Sequence, residues 1–88
     1  MTRKRFGKLM MGTGVSRNVV REIVKTMREM KEAEDLWRHY NRSGKEVHAV
    51  EKMCEYNILK IRLCRWLEVT VRQQQEFAEK KRSEIYNI

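Results

Sequence analysis

The fold is decided by residues 41–46, Asn-Arg-Ser-Gly-Lys-Glu, which separate two long segments whose apolar residues recur at helical spacing. Ser43 and Glu46 have the Ser-x-x-Glu spacing of a capping box, which predicts that a second helix begins here. Two long helices joined by such a short turn predict an antiparallel hairpin. A second interruption lies earlier, at Gly12-Thr13-Gly14, whose two glycines supply a positive φ at little cost and therefore suit the end of a helix.

The segment before the turn predicts a helix over 17–40. Ser16 has the chemistry of an N-cap, because its hydroxyl can accept a hydrogen bond from a free backbone N–H. Apolar residues at spacings of three and four define one face of this helix. They are Ile23, Met27, Met30, Ala33, Trp37 and Tyr40.

The segment after the turn predicts a helix over 45–82 with two apolar faces. One face holds Val47, Val50, Met53, Cys54, Ile58, Ile61, Cys64 and Val71. The other holds Tyr56, Leu59, Leu63, Trp66 and Leu67. A helix on the surface of a monomer needs only one apolar stripe. We therefore expect a homodimer with Leu59, Leu63, Trp66 and Leu67 in the oligomer or partner interface, unless the N-terminal segment covers that face.

Upstream of the first long helix, a short basic helix is predicted over 3–11. The 88 residues contain no proline, which suits long helices, and no alternating pattern predicts a strand. We expect an all-α protein with a single domain over 1–88, built as a long helical hairpin plus this N-terminal helix.

The net charge of +8 is concentrated near the N-terminus. Residues 1–28 have a balance of +7, residues 29–59 of −2 and residues 60–88 of +3. Arg17, Arg21, Lys25 and Arg28 fall on one arc of the predicted helix, about 80° wide. We call these four residues the basic stripe. Arg3, Lys4, Arg5 and Lys8 precede it. Such a row can neutralise several phosphates at once, although a solvated face or a dock for an acidic protein would have the same pattern.

Residues 14–24, Gly-Val-Ser-Arg-Asn-Val-Val-Arg-Glu-Ile-Val, resemble the turn and recognition helix of helix-turn-helix DNA-binding proteins. Val15, Val20 and Ile23 match the buried positions of that motif. The resemblance implies that Arg17, Asn18 and Arg21 face a DNA groove. Met10 stands where the motif has a small residue, and Gly12 and Thr13 fall where its first helix should continue. A simple capped hairpin is the alternative.

Residues 3–18 are similar to the opening of small proteins encoded by phages and mobile elements of Gram-positive bacteria. The similarity lies in Lys-Arg-Phe-Gly-Lys-Leu-Met-Met at 4–11, followed by Gly14 and by Arg17-Asn18. It implies a phage origin and a protein that acts on host nucleic-acid machinery, including as an inhibitor of host defence. It implies no particular activity.

Catalysis, metal binding and cofactors are not expected. The glycines at 12 and 14 lack the spacing and the Lys-Ser/Thr ending of a phosphate-binding loop. His39, His48, Cys54 and Cys64 are separated by gaps of nine, six and ten residues, whereas structural zinc sites use close pairs. No apolar run is long enough to cross a membrane, and we expect a cytoplasmic protein with reduced cysteines.

The sequence therefore predicts a non-enzymatic protein that binds nucleic acid or a nucleoprotein through residues 3–28. The alternative is a phage inhibitor or adaptor that contacts a host protein. In that case the two-sided third helix would carry the contact.

Overall fold

The computed structural model describes residues 14–86, and this part of the chain forms two α-helices and no strand. Helix α1 spans Arg17–Arg42 and helix α2 spans Glu46–Tyr86. The two predicted long helices are confirmed: the first begins at the predicted residue, and the other three ends differ by one to four residues. The predicted helix 3–11 lies outside the described residues.

Helix α1 begins at the predicted cap. The Ser16 hydroxyl accepts a hydrogen bond from the Val19 amide at 3.3 Å, which satisfies one of the free donors of the first turn. Ser16 itself has extended backbone, with φ −66° and ψ 150°. This geometry fixes the first helical residue as Arg17.

The turn between the helices contains a glycine with positive φ, Gly44, and uses Ser43 differently from the prediction. Gly44 has a φ of +73°, and the Lys45 amide next to it donates to the Tyr40 carbonyl at 2.9 Å. The Ser43 hydroxyl donates to the His39 carbonyl at 2.9 Å. Ser43 therefore ends α1, and the prediction that it caps α2 is wrong. The His39 carbonyl accepts from both the Ser43 amide, at 3.1 Å, and the Ser43 hydroxyl, so this serine belongs to the last turn of α1.

The two helices pack along one antiparallel seam. Val19 and Ile23 of α1 are buried in this seam near the start of the helix, and Leu63, Trp66 and Val69 of α2 pack against them. Small side chains line the seam elsewhere and let the helices approach closely. They are Thr26, Ala33, Ala49 and Thr70, all buried. Both threonine hydroxyls donate to the carbonyl four residues earlier in their own helix, so neither is left without a partner.

The seam shows which apolar face of α2 is covered. Leu63 and Trp66, which the sequence placed in a partner interface, contact α1 within the same chain. Leu59 is half-buried beside them, and Leu67 at the edge is 39% exposed. The face left exposed is the other one, running from Val47 to Val71. Two stripes were visible in the sequence, but either of them could have packed against α1.

The hairpin is a long rod of 67 × 20 × 16 Å. Its radius of gyration is 17.9 Å, whereas a compact domain of this chain length has about 12 Å. Neither helix within residues 14–86 carries an apolar stretch of the length that crossing a bilayer requires.

Replacing Ile23 by Ala should lower the free energy of unfolding by about 2–5 kcal/mol, because this side chain is completely buried in the seam. Ile85→Ala is the matched control, since Ile85 is 70% exposed and its loss should change stability by no more than ~0.5 kcal/mol. Urea denaturation followed by circular dichroism measures both. Equal losses in the two variants would contradict the seam described here.

Candidate nucleic-acid interface

All four residues of the basic stripe are exposed on α1. The buried residues Val19, Ile23 and Thr26 lie on the opposite side of the helix, against α2. The stripe therefore points away from the seam and runs for about 16 Å along the helix axis. Asn18, the further predicted groove-facing residue, is exposed beside it.

No carboxylate among the described residues forms an ion pair with the stripe. Four ion pairs between a lysine or arginine and a carboxylate occur within residues 14–86, and all of them use other cations. The pairs are Lys31–Asp35, Arg38–Glu34, Lys52–Glu55 and Arg62–Glu29. The positive charge of the stripe is therefore not neutralised locally, unlike that of Lys31 and Arg38 further along the same helix.

Helix α2 fixes the N-terminal end of the stripe in position. The Ser16 amide donates to the Gln73 side-chain oxygen at 3.0 Å. Gly14 has a φ of +88° and lies against Phe77, where an added Cβ would come within 2.3 Å of the Phe77 Cβ. Arg17 follows directly, so contacts with α2 at Gly14 and Ser16 hold the backbone just before it.

The first turn of α1 contains no acidic side chain. The free N–H groups of a helix N-terminus carry a partial positive charge, which an acidic residue normally offsets. Here Arg17 adds a full positive charge to it instead. The start of α1 is thus locally electropositive for two independent reasons.

Cations of α2 join the stripe at the same end of the hairpin, and sequence reasoning missed them. Two contacts show that the first half of α1 lies beside the second half of α2. They are the Ser16–Gln73 hydrogen bond and the Arg62–Glu29 ion pair, at 3.8 Å. Residues 14–28 and 60–86, each with a balance of +3, therefore form one end, which we call the open end. Residues 29–59, with a balance of −2, form the turn end. The charge segregation was visible along the chain, but the pairing of its two basic parts follows only from the hairpin.

A shallow groove of about 490 Å³ opens on one flank of this end. It is lined by Glu22, Arg62, Arg65, Trp66 and Val69. Arg62 and Arg65 thus border a half-buried aromatic ring, with Glu22 as the acidic side chain of the groove. The groove extends the basic surface from the outer face of α1 onto the side of α2.

The remaining predicted binding residues, Arg3, Lys4, Arg5 and Lys8, lie outside the described residues. Val15 and Ile23, two of the buried positions of the helix-turn-helix resemblance, do pack in the core, and Val20 is half-buried. Helix α1, however, continues to Arg42 as one helix of 26 residues.

The histidines and cysteines do not come together. The Tyr40 ring lies near both histidine rings, edge-on to His39 and tilted to His48, with ring centroids 5.5 and 5.2 Å away. Cys54 and Cys64 are both exposed on α2. Within residues 14–86 there is no group of three or more His, Cys, Asp or Glu side chains placed to hold a metal ion.

Comparison with known proteins adds no relative to this picture: no family model, curated protein or solved structure matches the chain. The placement of the basic stripe, its charges and the surfaces next to it are therefore the features that bear on function.

Gly14→Ala should destabilise the hairpin more than Gly44→Ala does. Both glycines have positive φ, so an alanine is strained at either position by about 1–2 kcal/mol. Only at position 14 would the added Cβ also collide with Phe77, because nothing lies within 4 Å at position 44. Thermal unfolding of the two variants measures the difference. Identical losses would show that Gly14 is not packed against α2.

Proposed function

We propose that this protein binds nucleic acid without catalysis, through the basic stripe of α1. The observation that carries the proposal is the row of four exposed cations that have no carboxylate partner among the described residues. A solvated helix face commonly pairs its charges at spacings of three or four, as α1 itself does at Lys31–Asp35 and Arg38–Glu34. Four unpaired cations on one face favour an external polyanion.

The dimensions of α1 suit a duplex. An α-helix is about 10–12 Å wide with its side chains, and the major groove of DNA is about 12 Å wide. The stripe faces outward from a single rod, so no other described element blocks its approach to a groove. Phosphates recur closely along each strand, and a row of cations about 16 Å long can meet several of them.

Arg17 and Asn18 are best placed to contact base edges. They occupy the first two positions of α1, and the N-terminal part of a recognition helix is the part that reads bases. The electropositive helix start would also favour a phosphate. These positions support a helix-turn-helix-like mode of binding, in which Arg21 extends the contact along the groove.

A protein partner is the competing function, and one observation favours it. The exposed apolar face of α2 would suit an inhibitor or adaptor of a host protein, because large apolar patches often mark contact sites. Such a protein would keep its partner when the stripe is removed, and its binding would resist salt.

Replacing Arg17, Arg21 and Lys25 together by Ala should leave the helix content unchanged, because all three side chains are exposed. Nucleic-acid binding should weaken strongly. If each side chain contacts a phosphate, the slope of log affinity against log salt should become shallower by about three, at ~0.9 per lost contact. Fluorescence anisotropy with labelled DNA and RNA duplexes over a salt series measures this slope.

The matched control replaces Lys31, Arg38 and Arg42 by Ala. This variant loses the same net charge from the same helix, but two of its three cations are already ion-paired. We expect a much smaller change in affinity. Equal weakening in both variants would indicate an effect of net charge alone, and a stripe variant that binds as tightly as the wild type at low salt would exclude nucleic acid.

Single substitutions of Arg17 and Asn18 by Ala test base recognition. If either side chain reads a base edge, its loss should reduce discrimination at one position of the preferred site by about 1–3 kcal/mol. Binding-site selection from a random duplex library, run with wild type and each variant, shows whether one position relaxes. A uniform loss across all sequences would assign both residues to the phosphate backbone.

A further inference from the structure

An apolar face of α2 is left uncovered along most of the helix. Val47 is 73% exposed, Val50 and Ile58 are each 60% exposed, and Ile61 is 58% exposed. Met53, Cys54, Cys64 and Val71 continue the same face. It extends for about 36 Å along the helix axis. Single exposed apolar residues are normal on a protein surface, but a long row of them along one helix face, interrupted here by Asn57 and Glu68, is typical of an interface.

The described part of the chain does not cover this face. Helix α1 occupies the opposite side of α2, where it packs on Leu63 and Trp66. Residues 1–13 join the hairpin at Gly14, which lies next to Phe77. The predicted helix 3–11 would be about 14 Å long, whereas Val47 lies about 45 Å from Phe77 along α2. A helix of that length cannot reach the half of the face nearest the turn.

The surface area also indicates a missing cover. The accessible surface is 7270 Å², about 1,800 Å² more than a compact monomer of 10.7 kDa exposes. A standard protein–protein interface buries about 800 Å² of each partner. Within residues 14–86 only four apolar residues are buried, namely Val19, Ile23, Ala33 and Ala49. The hairpin thus has a small core, and enough apolar surface remains exposed to form an interface with another molecule.

We propose that a second copy of this chain covers the face, with its α2 antiparallel to the first. The apolar residues follow the three- and four-residue spacing of a coiled-coil seam, at Val47, Val50, Cys54, Ile61, Cys64 and Val71. Asn57 and Glu68 are the polar residues in this row along the exposed face of α2. Two identical stripes of this kind are self-complementary about a two-fold axis, as a homodimer requires.

The flanking charges select the antiparallel orientation. Residues that flank a coiled-coil seam set the orientation of the partner through their charges. A parallel pair would place Glu46 next to Glu51 of the second copy, and Lys60 next to its Arg65. An antiparallel pair places Glu51 next to Arg65 of the second copy, and this contact occurs twice because of the symmetry. Both side chains belong to the exposed side of α2 and can reach a neighbouring molecule.

One antiparallel register matches apolar side chains over part of the face and places Val50 across from Glu68, and Ile61 across from Asn57, of the second copy. With the two-fold axis near position 59, Val47 lies across from Val71 and Met53 across from Leu67. Cys54 then lies across from Cys64 of the second copy. Lys60 meets its own counterpart at the axis, where its long flexible stem lets the two ammonium groups separate in water.

Sedimentation of the full chain at micromolar concentration tests the association. We expect a dimer for the wild type, and at least a tenfold higher dissociation constant for Val50→Glu and Ile61→Glu. Ile85→Glu is the matched control: Ile85 is an equally apolar and exposed residue of α2, but lies beyond the overlap in this register. Circular dichroism of each variant separates loss of the dimer from loss of the helix.

Cross-linking with a short bismaleimide tests the orientation, because the chain contains just two cysteines. Within one chain they are about 15 Å apart along α2 and outside the reach of the reagent. In the antiparallel register, each cross-link joins Cys54 to Cys64 of the second copy. Cys54→Ala and Cys64→Ala should therefore each abolish the covalent dimer. In a parallel dimer, each single variant would still cross-link through its remaining cysteine.

Charge reversal tests the proposed contact between Glu51 and Arg65. Glu51→Arg and Arg65→Glu should each raise the dissociation constant, and the double variant should restore it towards the wild-type value. A monomeric wild type, or a dimer that both Val50→Glu and Ile61→Glu leave intact, would overturn the proposal. Persistent cross-linking of the single-cysteine variants would overturn its orientation.

Discussion

The antiparallel seam in which Ile23 packs against Leu63 and Trp66 is the contact on which the rest of the structure depends. It places the start of α1 beside Gln73 and Phe77, and so brings the two basic parts of the chain to one end of the rod. It also decides which face of α2 remains free. The basic surface and the exposed apolar face are both consequences of one choice of packing.

Features that depend on local chemistry could be predicted from the sequence. Both long helices, the Ser16 cap and the apolar face of α1 through Ile23 and Ala33 are confirmed, because side-chain periodicity and capping act within a few residues. The exposure of the basic stripe followed from the same periodicity. Ser43 was misassigned because a serine in a tight turn can pair with either helix, and here the His39 carbonyl was within reach.

The tertiary features were less predictable. The two apolar faces of α2 differ little in composition, and no local signal in the sequence indicates which of them packs against α1. The structure shows that small residues, Ala49 and Thr70, lie on the covered side and permit a close approach. The contribution of Arg62 and Arg65 to the open end could not be predicted from the sequence for a related reason. They are far from the basic stripe in sequence, and only the hairpin brings them to the same end.

The two proposed surfaces have a joint geometric consequence. The basic stripe points away from the seam on one side of the rod, and the apolar face lies on the opposite side of α2. In an antiparallel dimer through α2, the two stripes would therefore face outward in opposite directions, about 27 Å apart along the helix axis. A dimeric helix-turn-helix protein that reads two half-sites presents both recognition helices to the same side of one duplex. If both proposals hold, such a dimer would instead hold two separate nucleic-acid segments, one on each outer face.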